Sequence, residues 1–180
     1  MLSVEDLAAD CEALSRGSDP AHVVAGYLSQ LFRETPEDVA ELLGDGAESL
    51  VIHRSDDLTI VKVVMPPRYA LYPHNHLMWG VVGTVVGRED NTFFVREGQG
   101  LERTMGASYD EGQVGILPEN VIHAVHNPTD AHTVGLHVYG GDLVATPTSE
   151  WDPETFEEHP YDMAAADARR AAWVAAPSSG

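Results

Sequence analysis

Tyr72-Pro73-His74-Asn75-His76-Leu77-Met78-Trp79-Gly80 carries two histidines at positions i and i+2. Alternate side chains of an extended strand leave the same face, so this spacing sends His74 and His76 in one direction. Further along, Gly112-Gln-Val-Gly-Ile-Leu-Pro-Glu-Asn-Val-Ile-His123 adds a third histidine just after a Pro118-x-Asn120 turn. Imidazoles are natural ligands for a divalent transition metal. Three of them buried without partners would be costly. The pattern therefore predicts a small metal-binding β-barrel with His74, His76 and His123 as ligands.

The residues on either side fit that reading. Segments 50–54, 58–65, 78–86, 92–96, 114–117, 121–126 and 133–139 are short and rich in β-branched and aromatic residues, with Gly, Pro, Asn and Asp between them. This is the signature of an all-β sandwich or barrel, and nothing alternates strand with helix. In 133–139, Thr133, Gly135, His137 and Tyr139 share one face while Val134, Leu136 and Val138 share the other. A polar lumen and an apolar outer face packed on helices would follow.

The helices are expected before and after the barrel. Val4, Leu7, Ala8, Cys11 and Leu14 recur at helical spacing after a Ser3 start. Asp19-Pro20 opens a second helix with a stripe of Val23, Val24, Tyr27, Leu28, Leu31 and Phe32, and Thr35-Pro36 opens a third that ends near Gly44. Beyond Asp142 the chain is polar and Pro-rich, then reads as an Ala-rich helix over 163–174, with Trp151, Phe156 and Tyr161 available to anchor it. One domain is expected: a helical segment 1–48 packed on the barrel, the barrel 49–142, and a C-terminal extension 143–180.

Charge and composition narrow the partners. A net charge of −19, with Lys62 the only lysine, argues against a nucleic-acid partner. No apolar run reaches membrane-spanning length, and the start lacks the pattern of a secretory signal. Cys11 is alone, so no intrachain disulfide forms and a cytoplasmic location is expected; Cys11 itself reads as a buried helix residue. Oligomeric state is not indicated.

The two histidine segments also carry a longer spacing. The first runs His74-x-His76, three residues, Gly80, six residues, Gly87; the second runs Gly112, five residues, Pro118-x-Asn120, two residues, His123, three residues, Asn127. Across about residues 50–142 this resembles the two motifs of the cupin superfamily, which implies a double-stranded β-helix (jelly-roll barrel) with a metal inside. Asn120 stands where the second motif has Gly, and Asn tolerates the left-handed conformation expected there. Gly80 falls where the family's carboxylate ligand stands, which leaves three neutral histidines and a more electrophilic metal.

Within the cupins, such a site resembles the cysteine dioxygenase (thiol dioxygenase) family, whose late Ser-x-His-x-Tyr run has a counterpart in Gly135-Leu-His137-Val-Tyr139. That resemblance implies Fe(II), O2 and a small thiol-bearing acid, with Tyr139 bonding the bound oxygen or substrate and His137 holding its hydroxyl. It also implies an arginine on an early strand gripping the substrate carboxylate, a place that Arg54 occupies. Gly135 replaces the orienting serine, and Val81 stands near the place of a cysteine that crosslinks to tyrosine in some members.

Other residues receive plainer expectations. His126 falls on the face opposite His123; His22, His53, His132 and His159 lack partners at ligand spacing; Trp79 packs away from the site. Arg68 and Arg88 are expected in surface ion pairs, and Glu89 and Asp90 as turn residues or supports behind the ligands. The alternatives are a non-redox cupin (isomerase or lyase) using Mn, Ni or Zn as a Lewis acid, and a ligand-binding sensor without turnover.

Overall fold

From Leu50 onward the chain forms antiparallel strands: β1 (Leu50–Arg54), β2 (Thr59–Met65), β3 (Ala70–Asn75), β4 (Gly80–Val86), β5 (Arg88–Glu97), β6 (Gly100–Asp110), β7 (Val114–Leu117), β8 (Ile122–His126), β9 (Thr133–Tyr139), β10 (Ser149–Trp151) and β11 (Glu158–Pro160). The computed structural model describes residues 1–98 and 100–176. One sheet runs β1-β2-β9-β4-β7 and the other β11-β10-β3-β8-β5-β6. Within β2 to β9 the first sheet pairs the first, eighth, third and sixth strands, and the second sheet the second, seventh, fourth and fifth. Two such interlocked Greek keys are a jelly roll, the double-stranded β-helix expected from the histidine motifs.

Helices α1 (Val4–Leu14), α2 (Pro20–Glu34) and α3 (Pro36–Leu43) lie against the outer face of the first sheet. Their stripes, including Leu7, Cys11, Val24, Leu28 and Val39, join Ile60, Val81, Leu136 and Val138 in one core. The alternation of β9 is realised here: Leu136 and Val138 enter this core while His137 and Tyr139 point between the sheets. Gly83 permits the closest approach, since a Cβ there would stand 2.6 Å from the Phe32 ring of α2. Burial, then Asp10, pushes the Cys11 thiol up to about 12, so it remains an uncharged core group.

Lys62 fastens α3 to the barrel. It is buried on β2, and its Nζ donates to the carbonyls of Leu43 (2.8 Å), Gly44 (3.0 Å) and Gly46 (2.6 Å). A cation with three donors meets carbonyls that the helix end leaves unpaired. Lys62→Met removes all three bonds and orphans those acceptors, so urea unfolding should show a loss of about 3 kcal/mol.

Several elements differ from the sequence expectation. Strand β5 begins at Arg88 rather than 92, which places Glu89 and Asn91 on a strand instead of in a turn. Strand β6 was not expected: it is an edge strand exposed over most of both faces, so it carries no alternation to detect. Asn120 is not left-handed; the turn closes through the Val121 amide on the Pro118 carbonyl at 3.0 Å. The second-motif Asn127 is a loop staple, its Nδ2 donating to the carbonyls of Met65, Pro66 and Ala131. No helix among the described residues is long and apolar enough to cross a membrane.

Candidate metal centre

The first two histidines come from one end of β3. His74 is on the strand, His76 lies just past Asn75, and Leu77 at φ 56° turns the chain towards β4. His123 on β8 is the direct cross-strand partner of His74. All three are buried, and one ring nitrogen from each lies within 4.8 Å of the others. The Nε2 atoms of His76 and His123 are 3.0 Å apart.

Hydrogen bonds behind two rings choose their tautomers. His74 Nδ1–H donates to the Tyr72 carbonyl at 2.8 Å, and His123 Nδ1–H donates to Asn91 Oδ1 at 2.6 Å. Each then presents an Nε2 lone pair to the cluster, the usual way in which a protein orients a ligating imidazole. Burial lowers the pKa of His74 despite its bond to Tyr72. Burial and neighbouring imidazoles hold His76 and His123 well below the ordinary value. All three are neutral at neutral pH, as metal ligation requires.

This has a consequence for the metal-free fold. The unfolded chain binds protons on these histidines below about pH 6.5, whereas the folded chain binds them only at lower pH. Stability is therefore full above pH 6.5 and falls as pH drops below it, by up to about 1.4 kcal/mol per pH unit for each imidazole. Chemical denaturation at pH 7.5 and 5.5 should show that loss. A His76→Phe variant should reduce the slope.

The opposite wall explains the missing carboxylate. Gly80 and Tyr139 are cross-strand partners, and a Cβ on Gly80 would stand 3.1 Å from the Tyr139 ring. Tyr139 therefore occupies the space a longer residue at position 80 would need, and its ring lies 4.7 Å from that of His76. Burial, then Glu89 and Tyr161, raises the Tyr139 phenol far above its ordinary range, so it is a neutral hydroxyl. Val81, which stands near the place of the family's crosslinking cysteine, faces the helices.

His137 Nδ1 lies 3.2 Å from Tyr139 Oη, and its Nε2 lies 3.2 Å from Glu89 Oε2 but outside hydrogen-bonding angles. Its ring rests over Gly135, where a Cβ would stand 2.7 Å from Nε2. A serine at 135 would thus displace the ring, and Glu89 is the group that faces His137 here. Burial pushes the Glu89 carboxyl up, but His137 and the Asn91 amide outweigh it and bring the pKa below the ordinary value.

A cavity of about 210 Å³ opens beside the histidines. His74, His76 and Tyr139 form part of its wall, with Val61, Val63, Leu71 and Leu143 giving it an apolar character. Its cover is the C-terminal helix α4 (Met163–Ala175), which contributes Met163, Ala166, Asp167 and Arg170. The helix is held by Arg169, paired with Glu150 at 2.5 Å and lying 4.5 Å over the Tyr72 ring, and by Trp173 Nε1 donating to the Pro67 carbonyl at 2.9 Å. Tyr161, just before the helix, brings its ring 5.8 Å from that of His74.

Arg54 lies elsewhere. It is half-exposed on the edge strand β1, forms two 2.8 Å bonds to Asp142, and is absent from the cavity wall. Arg170 is the arginine that lines the cavity. Its Nη1 donates to Ser49 Oγ (3.0 Å) and the Val64 carbonyl (3.3 Å), and its Nη2 lies 3.3 Å from Asp167. Asn91 is a further residue of the site, not expected from the histidine motifs. The signal was available in Glu89-x-Asn91-x-Phe93, a period-two row that a strand start at Arg88 would have revealed. The remaining expectations concern packing: Trp79 stacks against Gly140, where a Cβ would clash at 2.0 Å, and His53 bonds Glu12 at 3.1 Å.

No family model matches the chain. Among solved structures it is similar to an RmlC-like cupin family protein with a double-stranded β-helix fold from Methanocaldococcus jannaschii, at 17% identity over 55% of this chain and 85% of that one, TM-score 0.46. It is also similar to an uncharacterised conserved protein with a double-stranded β-helix domain from Klebsiella pneumoniae, at 13% identity over 66% and 89%, TM-score 0.43. A third similarity is to oxalate oxidase, at 12% identity over 55% and 54%, TM-score 0.44.

Proposed function

We propose that His74, His76 and His123 hold iron(II), and that the adjoining cavity presents a small thiol-bearing acid for oxidation by O2. The observation that carries this reading is the convergence of three buried, neutral imidazoles, two with fixed tautomers, and no carboxylate at Gly80. The donor set fits the group: nitrogen ligands suit iron and its neighbours, and a three-ligand set leaves positions for substrate. Resemblance of the late His137-x-Tyr139 run to that of the thiol dioxygenases supports this reaction class.

Iron(II), when bound, supplies the redox chemistry that adds both oxygen atoms of O2 to the thiol sulfur, RSH + O2 giving RSO2H with no further reductant. The chain's own residues do the rest. Tyr139 holds a neutral hydroxyl beside His76, available as a hydrogen-bond donor to substrate when His137 Nδ1–H donates to its oxygen and so fixes its direction. Apolar residues and helix α4 line the cavity beside the reacting groups, and a substrate seated there would displace water and strengthen the polar contacts among them. Arg170 offers the acid's carboxylate a cationic side chain, the one arginine among the described residues of the cavity wall, in the role expected of Arg54.

Oxygen uptake by protein loaded anaerobically with Fe(II) tests the reading. Cysteine, 3-mercaptopropionate or a related thiol acid should drive uptake, with about one O2 consumed per sulfinate formed. Iron-loaded protein that consumes no O2 with any of them would remove the substrate assignment. Tight retention of zinc or nickel with no iron exchange would favour Lewis-acid chemistry instead.

A further inference from the structure

We propose that Glu89 is a positioning residue of the metal centre, a buried carboxylate that holds a ligand, His123, through Asn91. The inference rests on the reading of the three histidines as a metal site and adds to it the device that sets their geometry.

Strand β5 sends Glu89, Asn91 and Phe93 to the lumen, while Arg88 and Asp90 pair with each other on the outer face at 2.7 Å. Glu89 is only 2% exposed. Its Oε1 accepts from Asn91 Nδ2 at 2.8 Å. That bond determines which way the amide points, so Asn91 Oδ1 is turned to His123 Nδ1, 2.6 Å away. With the amide reversed, its NH2 would confront the ring N–H, and His123 could not keep its Nε2 lone pair towards His74 and His76. Phe93, cross-strand from His123, lies nearly parallel to the imidazole at 13° and keeps the ring from tilting.

The other oxygen, Oε2, faces His137 Nε2 at 3.2 Å outside hydrogen-bonding angles, so it is a charged neighbour of that ring and not a tether. Gly135 leaves room for that approach, because any side chain there would meet the His137 ring. No arginine or lysine pairs with Glu89 among the described residues; its partners are Asn91 and His137. A buried carboxylate with no permanent cation beside it is expensive. Its negative charge is complementary to a divalent ion held by three neutral ligands, and it reaches that ion through a polarised amide rather than by direct ligation.

Cobalt(II) titration of the metal-free protein, followed by visible absorption, tests the proposal alongside the melting temperature of the same metal-free samples. Glu89→Gln keeps the shape and removes the charge. It should weaken Co(II) binding about 10- to 100-fold, the range seen when a group behind a ligand is lost, with little change in metal-free melting temperature. Asn91→Ala cuts the same branch nearer the ligand and should weaken binding by a similar factor. The double variant should be no worse than the weaker single, because both act through one connection. If Glu89→Gln does not fold, Asn91→Ala alone carries the comparison. A Glu89→Gln protein that binds Co(II) within about twofold of the parent, or one that merely melts earlier with unchanged affinity, overturns the proposal. A parent protein that binds no Co(II) overturns the metal reading itself; a parent that binds and an unaffected variant overturns only the role of Glu89.

Discussion

His123→Ala should bind metal more weakly than any other single variant of the lumen, with a loss beyond the ~100-fold expected for cutting a supporting bond. His123 is 1% exposed and is the residue on which both ends of the site meet. It is paired with His74 across the sheet, its Nε2 is 3.0 Å from that of His76, and its other nitrogen is held by Asn91. Its removal leaves two ligands and a void with an unpaired Asn91 oxygen, which costs the metal-free fold a further ~1–3 kcal/mol. Thiol-dependent O2 uptake should vanish with the metal. Added imidazole should restore part of both, because the alanine leaves a space of the right shape facing Asn91. Isothermal titration with Co(II), with and without imidazole, measures this directly. Unchanged metal affinity in His123→Ala would remove the three-histidine site.

Tyr139→Phe should have the second-largest effect, and on a different quantity. The ring keeps its place over Gly80 and beside His76, so packing and metal content stay the same. Only the hydroxyl opposite His137 is lost. A hydrogen bond aimed at charge that develops during reaction is worth about 10²–10³ in turnover. The expected result is a fall in kcat of about 10²-fold with metal affinity unchanged and a stability loss limited to the ~1–3 kcal/mol of leaving His137 Nδ1 without its partner. If kcat is the same in both proteins, the hydroxyl has no part in the reaction.

The fold was legible where period-two patterns were strong. In β9 the alternation separates His137 and Tyr139 from Leu136 and Val138, and the structure places these pairs on the lumen and helix sides. His74, His76 and His123 were legible because the strand turn past Asn75 preserves the alternation. Failures occurred where a partner lies far off in the chain. Arg54 reads as a free cation until Asp142, 88 residues away, neutralises it. Arg170 carries no signal within its Ala-rich helix, and only the fold brings it to the cavity and to Ser49, 121 residues before it. Glu89 reads as either a turn residue or a support behind the ligands, and Gly87 with two acidic residues masks the start of β5 that decides between them. Gly135, which marks a missing serine in the sequence, is in three dimensions the space that His137 fills.

Metal stoichiometry of the chain after anaerobic Fe(II) loading and desalting, read by elemental analysis beside His123→Ala, tests the central claim most directly. Three converging neutral imidazoles predict about one iron per parent chain and almost none in the variant. A parent chain that retains no iron and no other transition metal, or a variant that retains as much as the parent, would contradict it.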